Sequence, residues 1–315
     1  MRDVFIRELT AIAAERPDVM LITADLGFGV LEEFATRFPK QFLNVGVAEQ
    51  NMTAVATGLA LEGAIVFTYS LGNFPTLRCL EQIRNDACYH NVNVKIVTVG
   101  GGMSYGAVGA SHHATEDLAI MRALPGTTVV SPCDNWEAAE ATRAIVDRQG
   151  VAYLRLDKSI APPSHRFDEL FHLGRARTIV DGSAATLIAT GGILGEAMKA
   201  AETLRARGFA LRVLSVHSIK PLDRDAIVAA ANQTGGIVTI EEHAIDGGLG
   251  GAVAEALLDA AAAPGFFARI GLRSCFSSAV GSQQYLRSVY GMDAEAIAEV
   301  VSERVRAGRR LPEVA

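Results

Sequence analysis

Residues 93–115 read NVKIVTVGGGMSYGAVGASHHAT, a β-branched run that ends in three successive glycines. The run predicts a buried β-strand, and the glycines and the two adjacent histidines after it are typical of a functional loop. The uncharged stretch from Ile96 to Thr115 is long enough to span a bilayer, but its glycines and histidines favour a strand and a loop. Because ligands of parallel sheets bind beyond the carboxyl ends of the strands, we expect chemistry in this loop.

The segments around this strand alternate between short apolar runs and amphipathic windows. Strands are predicted over 18–25, 64–68, 93–99, 127–131 and 151–156. Helices are predicted over 49–62, 76–90, 114–124 and 135–148. Near-continuous apolar strands separated by helices indicate a parallel sheet that is covered on both faces and joined by right-handed crossovers.

A second α/β unit follows a break in this pattern. Residues 157–175 contain two adjacent prolines, a glycine and several charges, which indicates a linker. Beyond it, strands are predicted over 184–189, 209–214 and 236–241, and a charged amphipathic helix over 293–309. We therefore expect two tandem α/β domains with mainly parallel sheets. The predicted division is a first domain over 1–160, a linker over 161–175 and a second domain over 176–315.

The composition excludes several classes of function. The 315 residues carry a formal charge of −6, and the pI is near 5.7. Nucleic acid and anionic membranes attract clustered Lys and Arg, so neither partner is expected and a small-molecule function is favoured. The scattered cysteines form no C-x-x-C pair, so neither a disulfide framework nor a zinc site is predicted. Charged residues near the N-terminus interrupt any signal peptide, and we expect a cytoplasmic location.

The segment GVAEQNM at 46–52 places Glu49 where a short predicted strand, FLNVG, meets the start of an apolar helix. One interpretation is structural, because a carboxylate at a helix N-terminus is stabilised by the helix dipole and by backbone donors. The other is a buried acid in an apolar wall. Desolvation raises the proton affinity of such an acid until it can donate a hydrogen bond to a heterocyclic nitrogen.

Two further strand ends carry candidate binding residues. Tyr69 and Phe74 flank Gly72 after one strand, and they are either core residues or a clamp for a flat ring. His112 and His113 stand directly before a helix in the glycine-rich loop. A histidine there either forms structural hydrogen bonds or binds hydroxyls, binds phosphate or transfers a proton.

Five segments occur in a fixed order along the chain. They are GVAEQNM at 46–52, the aromatic and EQIR segment at 68–84, the loop ending in SHHATEDLA, SPCDNWEA at 131–138, and KPLD with EEHAIDGGLGG at 220–251. This set resembles the transketolase superfamily of thiamine diphosphate enzymes over essentially the whole chain. The resemblance implies a pyrimidine-binding domain followed by a transketolase C-terminal domain, as in the C-terminal half of a split transketolase. The second domain is expected to contribute contacts between subunits and no catalytic residue.

The resemblance implies thiamine diphosphate and Mg²⁺ as cofactors. The family's other domain binds the diphosphate through Mg²⁺, using a GDG motif and a distal Asn pair. That arrangement is missing here, because Asp181-Gly182 and Asp246-Gly247 are isolated dipeptides without the required spacing. Mg²⁺ needs near-octahedral oxygen ligation, so we expect no metal ligand in this chain and a partner, an N-terminal diphosphate-binding subunit, that supplies them.

The resemblance also implies roles at the cofactor. Glu49 is similar to the catalytic acid that hydrogen-bonds N1′ of the aminopyrimidine, and Gln50 beside it is expected to contact the cofactor. Tyr69 and Phe74 resemble residues that stack on the aminopyrimidine. Extra residues between Tyr69 and Arg78 leave open which of the two aromatic rings stacks.

Contacts to the donor sugar are implied in the same way. His112 falls on a catalytic histidine that contacts hydroxyls of the donor. His113 and Arg78 are expected to bind the same substrate. Val108 occupies a position where relatives usually have an Asp near the sugar hydroxyls, which leaves the identity of the sugar open.

Three cations are candidates for a phosphate of the substrate. Arg2, Arg155 and Lys158 lie at or beside positions that hold a substrate phosphate in relatives, and a solvated surface charge is the alternative for each. Lys158 replaces a more usual Arg, which exchanges a bidentate fork for a point charge.

Three functions remain open from the sequence. The first is a subunit that transfers a two-carbon ketol unit from a ketose or ketose phosphate to an aldose, with a homodimer core inside an α2β2 complex. The second keeps thiamine diphosphate but resembles 1-deoxyxylulose-5-phosphate synthase or the β subunit of a 2-oxo acid dehydrogenase. The third is a non-enzymatic binding or regulatory subunit, which the retention of Glu49 and the histidine pair disfavours.

Overall fold

The structure is a computed structural model that describes residues 1–308. Its strands are β1 (Val19–Thr23), β2 (Phe42–Asn44), β3 (Ile65–Leu71), β4 (Val94–Val99), β5 (Thr128–Val130), β6 (Ala152–Leu156), β7 (Arg177–Val180), β8 (Thr186–Ala189), β9 (Arg212–Ser215), β10 (Ser218–Lys220), β11 (Ile237–Ala244) and β12 (Phe267–Leu272). Its α-helices are α1 (Arg2–Glu15), α2 (Glu32–Arg37), α3 (Glu49–Leu61), α4 (Leu80–Gln82), α5 (Asp117–Ala123), α6 (Asn135–Val146), α7 (Leu194–Ala206), α8 (Arg224–Gln233), α9 (Leu249–Asp259), α10 (Gln283–Val289) and α11 (Ala294–Gly308). A π-helix over Ile83–Cys88 continues α4, and 3₁₀ turns lie at Ala110–His112 and Gly191–Ile193.

The alternation of strands and helices that the sequence predicts is confirmed. The structure adds three strands that the pattern did not indicate, β7, β10 and β12. The predicted helix over 293–309 is α11, and residue 309 lies outside the described residues. None of the helices within residues 1–308 combines the length and the apolar character needed to cross a membrane.

Within residues 1–308 the first sheet has seven strands in the order β10-β5-β6-β4-β3-β1-β2. All neighbouring strands are parallel except β10 and β5. Side chains alternate across β3, so Phe67 packs toward α1 on one face and Val66 packs toward α3 on the other. Both faces of the sheet are therefore buried, as expected for a sheet built with helical crossovers.

The second sheet, within the same residues, has the order β12-β11-β8-β9-β7, and only β7 pairs antiparallel. The chain also returns from this domain to the first one. Strand β10 pairs with β5 through Ser218 and Val130, and Ile219 enters the core of the first domain. Two tandem α/β domains are confirmed, but they share a sheet, and the division at 160 and 176 stays a prediction.

Candidate active site

The turn between β2 and α3 buries the Glu49 carboxylate at the start of a helix. Gly46 has a φ of +75°, a conformation that favours glycine. Asn44 Oδ1 accepts hydrogen bonds from the backbone N–H groups of Gly46 and Asp25, both at 3.0 Å. Glu49 then becomes the first residue of α3 and is only 3% exposed. The protein, rather than bulk water, therefore surrounds this carboxylate.

Among the described residues, Glu49 has one ionic partner, Arg78. Arg78 Nη1 donates a hydrogen bond of 2.7 Å to Glu49 Oε2, and the Arg78 side chain is 46% exposed. Within residues 1–308 no other group donates a hydrogen bond to this carboxylate. Its second oxygen is therefore available to a ligand.

Phe74 and His112 extend this pair into a cluster. The Arg78 guanidinium carbon lies 4.5 Å from the centroid of the Phe74 ring, and the His112 ring meets Phe74 edge-on at 5.2 Å. His112 Nδ1 is 3.0 Å from Ser111 Oγ. Glu49, Arg78, Phe74 and His112, which we call the Glu49 cluster, thus unite four residues that the sequence singled out separately.

Tyr69 lies in the hydrophobic core and not in this cluster. Its ring stacks on Phe5 of α1 with 6.3 Å between centroids, it is 3% exposed, and burial raises the pKa of its hydroxyl. Tyr69 points toward α1 because alternate residues of β3 face opposite sides, whereas α3 and Glu49 belong to the other side. The expected stacking of Tyr69 on a ligand ring stays a prediction. Phe74 is the aromatic residue that Arg78 links to Glu49.

His113 and Gln50 flank the Glu49 cluster. His113 is buried, and its Nε2 has no hydrogen-bond partner within the described residues. Burial lowers the pKa of its ring, which favours the neutral imidazole. Its Nε2 is therefore a buried polar atom that the described residues leave without a hydrogen bond. Gln50 follows Glu49 in α3 and its side chain is exposed.

Arg155 is buried beneath the glycine-rich loop. Its Nη2 donates hydrogen bonds to the carbonyl oxygens of Ala114 at 3.1 Å and Glu242 at 2.8 Å. Its Nε is 3.1 Å from Asp117 Oδ2, and both side chains are inaccessible to solvent. The Arg155 guanidinium lies at the boundary between the two domains, and its expected contact with a substrate phosphate stays a prediction.

Arg2 and Lys158 remain at the surface. Arg2 Nε is 2.7 Å from Asp3 Oδ1, and Lys158 Nζ is 3.6 Å from the centroid of the Tyr105 ring. Partial burial lowers the pKa of Lys158, and the nearby charge of Arg2 lowers it further. Two neighbouring cations favour the binding of an anion. The contact of Arg2 and Lys158 with a substrate phosphate stays a prediction. Val108, in the same loop as Tyr105, is exposed.

Two residues of the site region were missed in the sequence. Tyr105 packs over Gly100, where an added Cβ would collide with the tyrosine ring. Glu242 Oε1 accepts a hydrogen bond of 2.6 Å from the backbone N–H of Met103. The sequence offered one signal for each residue. For Tyr105 it was an aromatic residue in a glycine-rich loop, and for Glu242 it was the acidic pair of EEHAIDGG. The described residues contain no group of three His, Cys, Asp or Glu side chains placed to hold a metal ion.

Two family models match the chain. The model of the transketolase pyrimidine binding domain matches residues 1–163, and that of the transketolase C-terminal domain matches residues 174–297. The two models follow each other in the order of the two sheets. The Glu49 cluster lies within the pyrimidine binding domain.

Full-length similarity to known proteins agrees with these matches. One subunit of the apulose-4-phosphate transketolase of Phocaeicola vulgatus is 37% identical over 307 residues, which is 97% of both chains. The 1-deoxy-D-xylulose-5-phosphate synthase 2 of Geobacter sulfurreducens is 35% identical over 94% of this chain and 47% of the synthase. A structure described as a split gene transketolase, inactive β4 tetramer, has a TM-score of 0.88 at 36% identity, over 97% of this chain and 98% of that one. The chain therefore belongs to the transketolase family, of which it contains the pyrimidine binding and C-terminal domains.

Proposed function

We propose that the chain is the C-terminal, β subunit of a thiamine diphosphate-dependent transketolase. It would transfer a two-carbon ketol unit from a ketose or ketose phosphate to an aldose. The observation that carries the proposal is the buried carboxylate of Glu49, whose partner Arg78 packs over the half-buried ring of Phe74. The family membership and a full-length relative named as a transketolase subunit support it.

The Glu49 cluster fits the aminopyrimidine ring of thiamine diphosphate. A carboxyl group that is 3% exposed, with one oxygen that receives no protein hydrogen bond within residues 1–308, suits a ring nitrogen that accepts a hydrogen bond, because the protonated carboxyl group can donate to it. The Phe74 ring provides an apolar face next to that carboxylate. When bound, thiamine diphosphate supplies the nucleophilic carbon and the electron sink for breaking a carbon–carbon bond.

The residues of this chain would bind and orient the reacting groups. Glu49 would donate a hydrogen bond to the pyrimidine nitrogen, and the exposed Gln50 would contact the cofactor. Arg78 then shares the carboxylate with the ring or turns toward the substrate, which its exposure allows.

The substrate would meet the histidine side of the cluster. His112 packs on Phe74, and the Nε2 of His113 lacks a partner within the described residues, so both rings offer hydrogen bonds to donor hydroxyls. Arg2 and Lys158 would provide positive charge for a phosphate at the far end of the sugar.

A partner subunit would complete the enzyme. The apulose-4-phosphate transketolase relative is named as one subunit of its enzyme, and the structural neighbour is described as the product of a split gene. An N-terminal, diphosphate-binding subunit would supply the Mg²⁺ ligands, and two copies of this chain would form the core of an α2β2 complex. The four cysteines are free thiols, which agrees with the cytoplasmic location that we propose.

A second candidate function uses the same cofactor, thiamine diphosphate, with a different donor substrate. It is supported by the identity of 35% to a 1-deoxy-D-xylulose-5-phosphate synthase. A synthase of that kind uses pyruvate and releases CO₂, and a 2-oxo acid dehydrogenase β subunit also works on a 2-oxo acid. The donor therefore distinguishes the two candidates.

The test combines the chain with its N-terminal partner subunit, thiamine diphosphate and Mg²⁺. Ketoses and ketose phosphates are supplied with aldose acceptors, and pyruvate is supplied with the same acceptors while CO₂ is measured. Ketol transfer without CO₂ release supports the transketolase. CO₂ release from pyruvate alone would replace it by the second candidate. A complex that binds the cofactor but converts neither class of donor would refute both.

A further inference from the structure

Residues 103–113, which we call the histidine loop, carry His112 and His113. Gly102 and Ala114 close the base of this loop by exchanging two backbone hydrogen bonds of 2.9 and 2.8 Å. This bridge joins the two ends of the loop to each other. It does not by itself determine where the loop stands relative to the Glu49 cluster, so other contacts must do so.

At the histidine end of the loop, Asn73 Nδ2 of the first domain donates a hydrogen bond of 3.0 Å to Ser111 O, and the second domain supplies the contacts at the other end. Glu242 Oε1, at the end of β11, accepts hydrogen bonds from the backbone N–H of Met103 at 2.6 Å and from Gln283 Nε2 at 2.8 Å. Gln283 Nε2 also lies 3.2 Å from Ser104 Oγ and donates to it. The first two residues of the histidine loop are therefore bonded to a carboxylate and an amide of the other domain.

Glu242 is itself fixed in one position. Arg287 Nε donates a hydrogen bond of 2.5 Å to Glu242 Oε2, and both side chains are buried. Arg287 Nη2 also donates to Ser159 Oγ at 2.7 Å, directly beside Lys158. A Cβ added at Gly102 would lie 2.5 Å from Glu242 Oε1, so the base of the loop rests on this side chain. Removing one member of such a buried, charged network leaves the others unsatisfied.

We propose that Glu242 is a positioning residue of the active site. Through Met103 and Ser104 it sets the position of the histidine loop, and so the position from which His112 meets Phe74 and the substrate. The inference rests on the proposed function, because a displaced loop affects catalysis only if its histidines contact the substrate. The second domain, expected to contribute only subunit contacts, thereby takes part in arranging the site.

Glu241 provides a matched control. It precedes Glu242 on β11 and is equally buried, but its carboxylate accepts hydrogen bonds from the backbone N–H groups of Leu249 and Gly250 at the start of α9. Replacing either residue by Ala removes a buried carboxylate from the same strand. A general loss of stability therefore affects both variants, whereas displacement of the histidine loop is expected only in Glu242→Ala.

The first measurement is hydrogen exchange on the chain without cofactor. The amides of residues 103–113 are expected to exchange about tenfold faster in Glu242→Ala than in the wild type or in Glu241→Ala, since the start of the loop loses its hydrogen bond to the Glu242 carboxylate. Equal exchange rates in the two variants would overturn the inference. If Glu242→Ala does not fold, Glu242→Gln is judged by the same measurement, because it keeps the side-chain shape and loses the charge opposite Arg287.

The second measurement is steady-state kinetics of the complex with its partner subunit. Glu242→Ala is expected to lower kcat/KM for the donor by roughly 10- to 100-fold, with a raised donor KM, because small misplacements of binding groups are costly. Affinity for thiamine diphosphate should stay unchanged, and Glu241→Ala should stay close to the wild type. Equal kinetics in both variants would overturn the inference. A wild-type complex without activity on ketoses would instead refute the proposed function, and the exchange result would still decide whether Glu242 holds the loop.

Discussion

Glu49 and Arg78 form an ion pair in which the two partners have different surroundings. The Glu49 side chain is 4% exposed and the Arg78 side chain is 46% exposed. Because the Arg78 guanidinium is exposed and screened by solvent, it stays hydrated when it moves away from Glu49. In the proposed complex, the pyrimidine nitrogen would take the place of Arg78 at this carboxyl group, so Glu49 would keep a hydrogen-bond partner.

The first prediction concerns this carboxylate. Glu49→Gln in the complete complex is expected to reduce kcat on the order of 10²- to 10³-fold, because the amide cannot exchange a proton with the pyrimidine nitrogen. The thermal midpoint should change little. Steady-state assays with the active donor measure the effect, and Glu62→Gln, at the exposed end of the same helix, is the control. Near-normal turnover of Glu49→Gln would show that Glu49 has no proton role.

Lys95 carries a second prediction, which concerns pH. Its side chain on β4 is fully buried, and Nζ donates hydrogen bonds to the carbonyl oxygens of Arg148 at 2.5 Å and Gly150 at 2.9 Å. Burial, with a smaller contribution from Arg148, lowers the pKa of Lys95 from 10.5 to about 7. Between these two values the unfolded chain binds the proton and the folded chain does not. Stability from this group therefore rises as pH rises through that window.

The comparison is with Lys95→Met, which keeps the length of the side chain and cannot titrate. From pH 7 to about pH 9, the free energy of unfolding of the wild type should rise by about 2 kcal/mol relative to the variant. Urea denaturation at both pH values measures this difference. Parallel pH profiles of the two proteins would mean that Lys95 is buried in its charged form.

At the scale of elements, the junction of β4 and the histidine loop depends on glycine. Gly100 has a φ of +92°, and its missing side chain is replaced by the ring of Tyr105. Tyr105 in turn lies beneath Lys158. The close approach of backbone and ring is what lets the loop turn back directly over the end of the sheet.

Gly100→Ala separates crowding from backbone strain. Gly63, after α3, has a similar φ of +98° but no atom within 4 Å of the added Cβ, so Gly63→Ala measures backbone strain alone. We expect Gly63→Ala to lower the free energy of unfolding by about 1 kcal/mol. The loss for Gly100→Ala should be larger by about 1–3 kcal/mol, since Tyr105 must move. Equal losses in the free energy of unfolding, measured by denaturant titration, would mean that the Tyr105 ring moves aside without an energetic cost.

At the scale of the whole molecule, buried polar contacts join the two domains. Arg177 of β7 donates a hydrogen bond of 2.7 Å to Glu137 of α6, and Ser215 donates to the same oxygen at 2.7 Å. Strand β10 adds an edge to the first sheet. Unfolding one domain alone would therefore expose buried charge and an unpaired strand in the other.

We accordingly expect the chain to unfold in one cooperative transition. Trp136, the single tryptophan, stacks on His165 and lies beneath the Arg177 guanidinium, so its fluorescence reports on the domain boundary. The midpoint of unfolding measured by Trp136 fluorescence should coincide with the midpoint measured by far-UV circular dichroism. The calorimetric and van't Hoff enthalpies of unfolding should also agree. Two separated transitions would show that the domains are thermodynamically independent.

The sequence by itself determined the local parts of this protein. Apolar runs and amphipathic windows located the strands and helices, because burial imposes a period of two or 3.6 residues on neighbouring positions. The order of segments such as GVAEQNM and SHHATEDLA identified the family and singled out Glu49 and His112. Each of these conclusions depends on residues that are close together along the chain.

Only the tertiary structure decided which side chains share a site. Phe74 and Tyr69 looked equivalent in the sequence, but Tyr69 packs in the core of the first domain and Phe74 packs against His112. Arg155 was a candidate for a substrate phosphate or a solvated surface charge, and the structure buries it against the second domain. Glu242 contacts a loop about 140 residues earlier in the chain. Exposure and partnership depend on distant segments that pack together, and no local pattern encodes that packing.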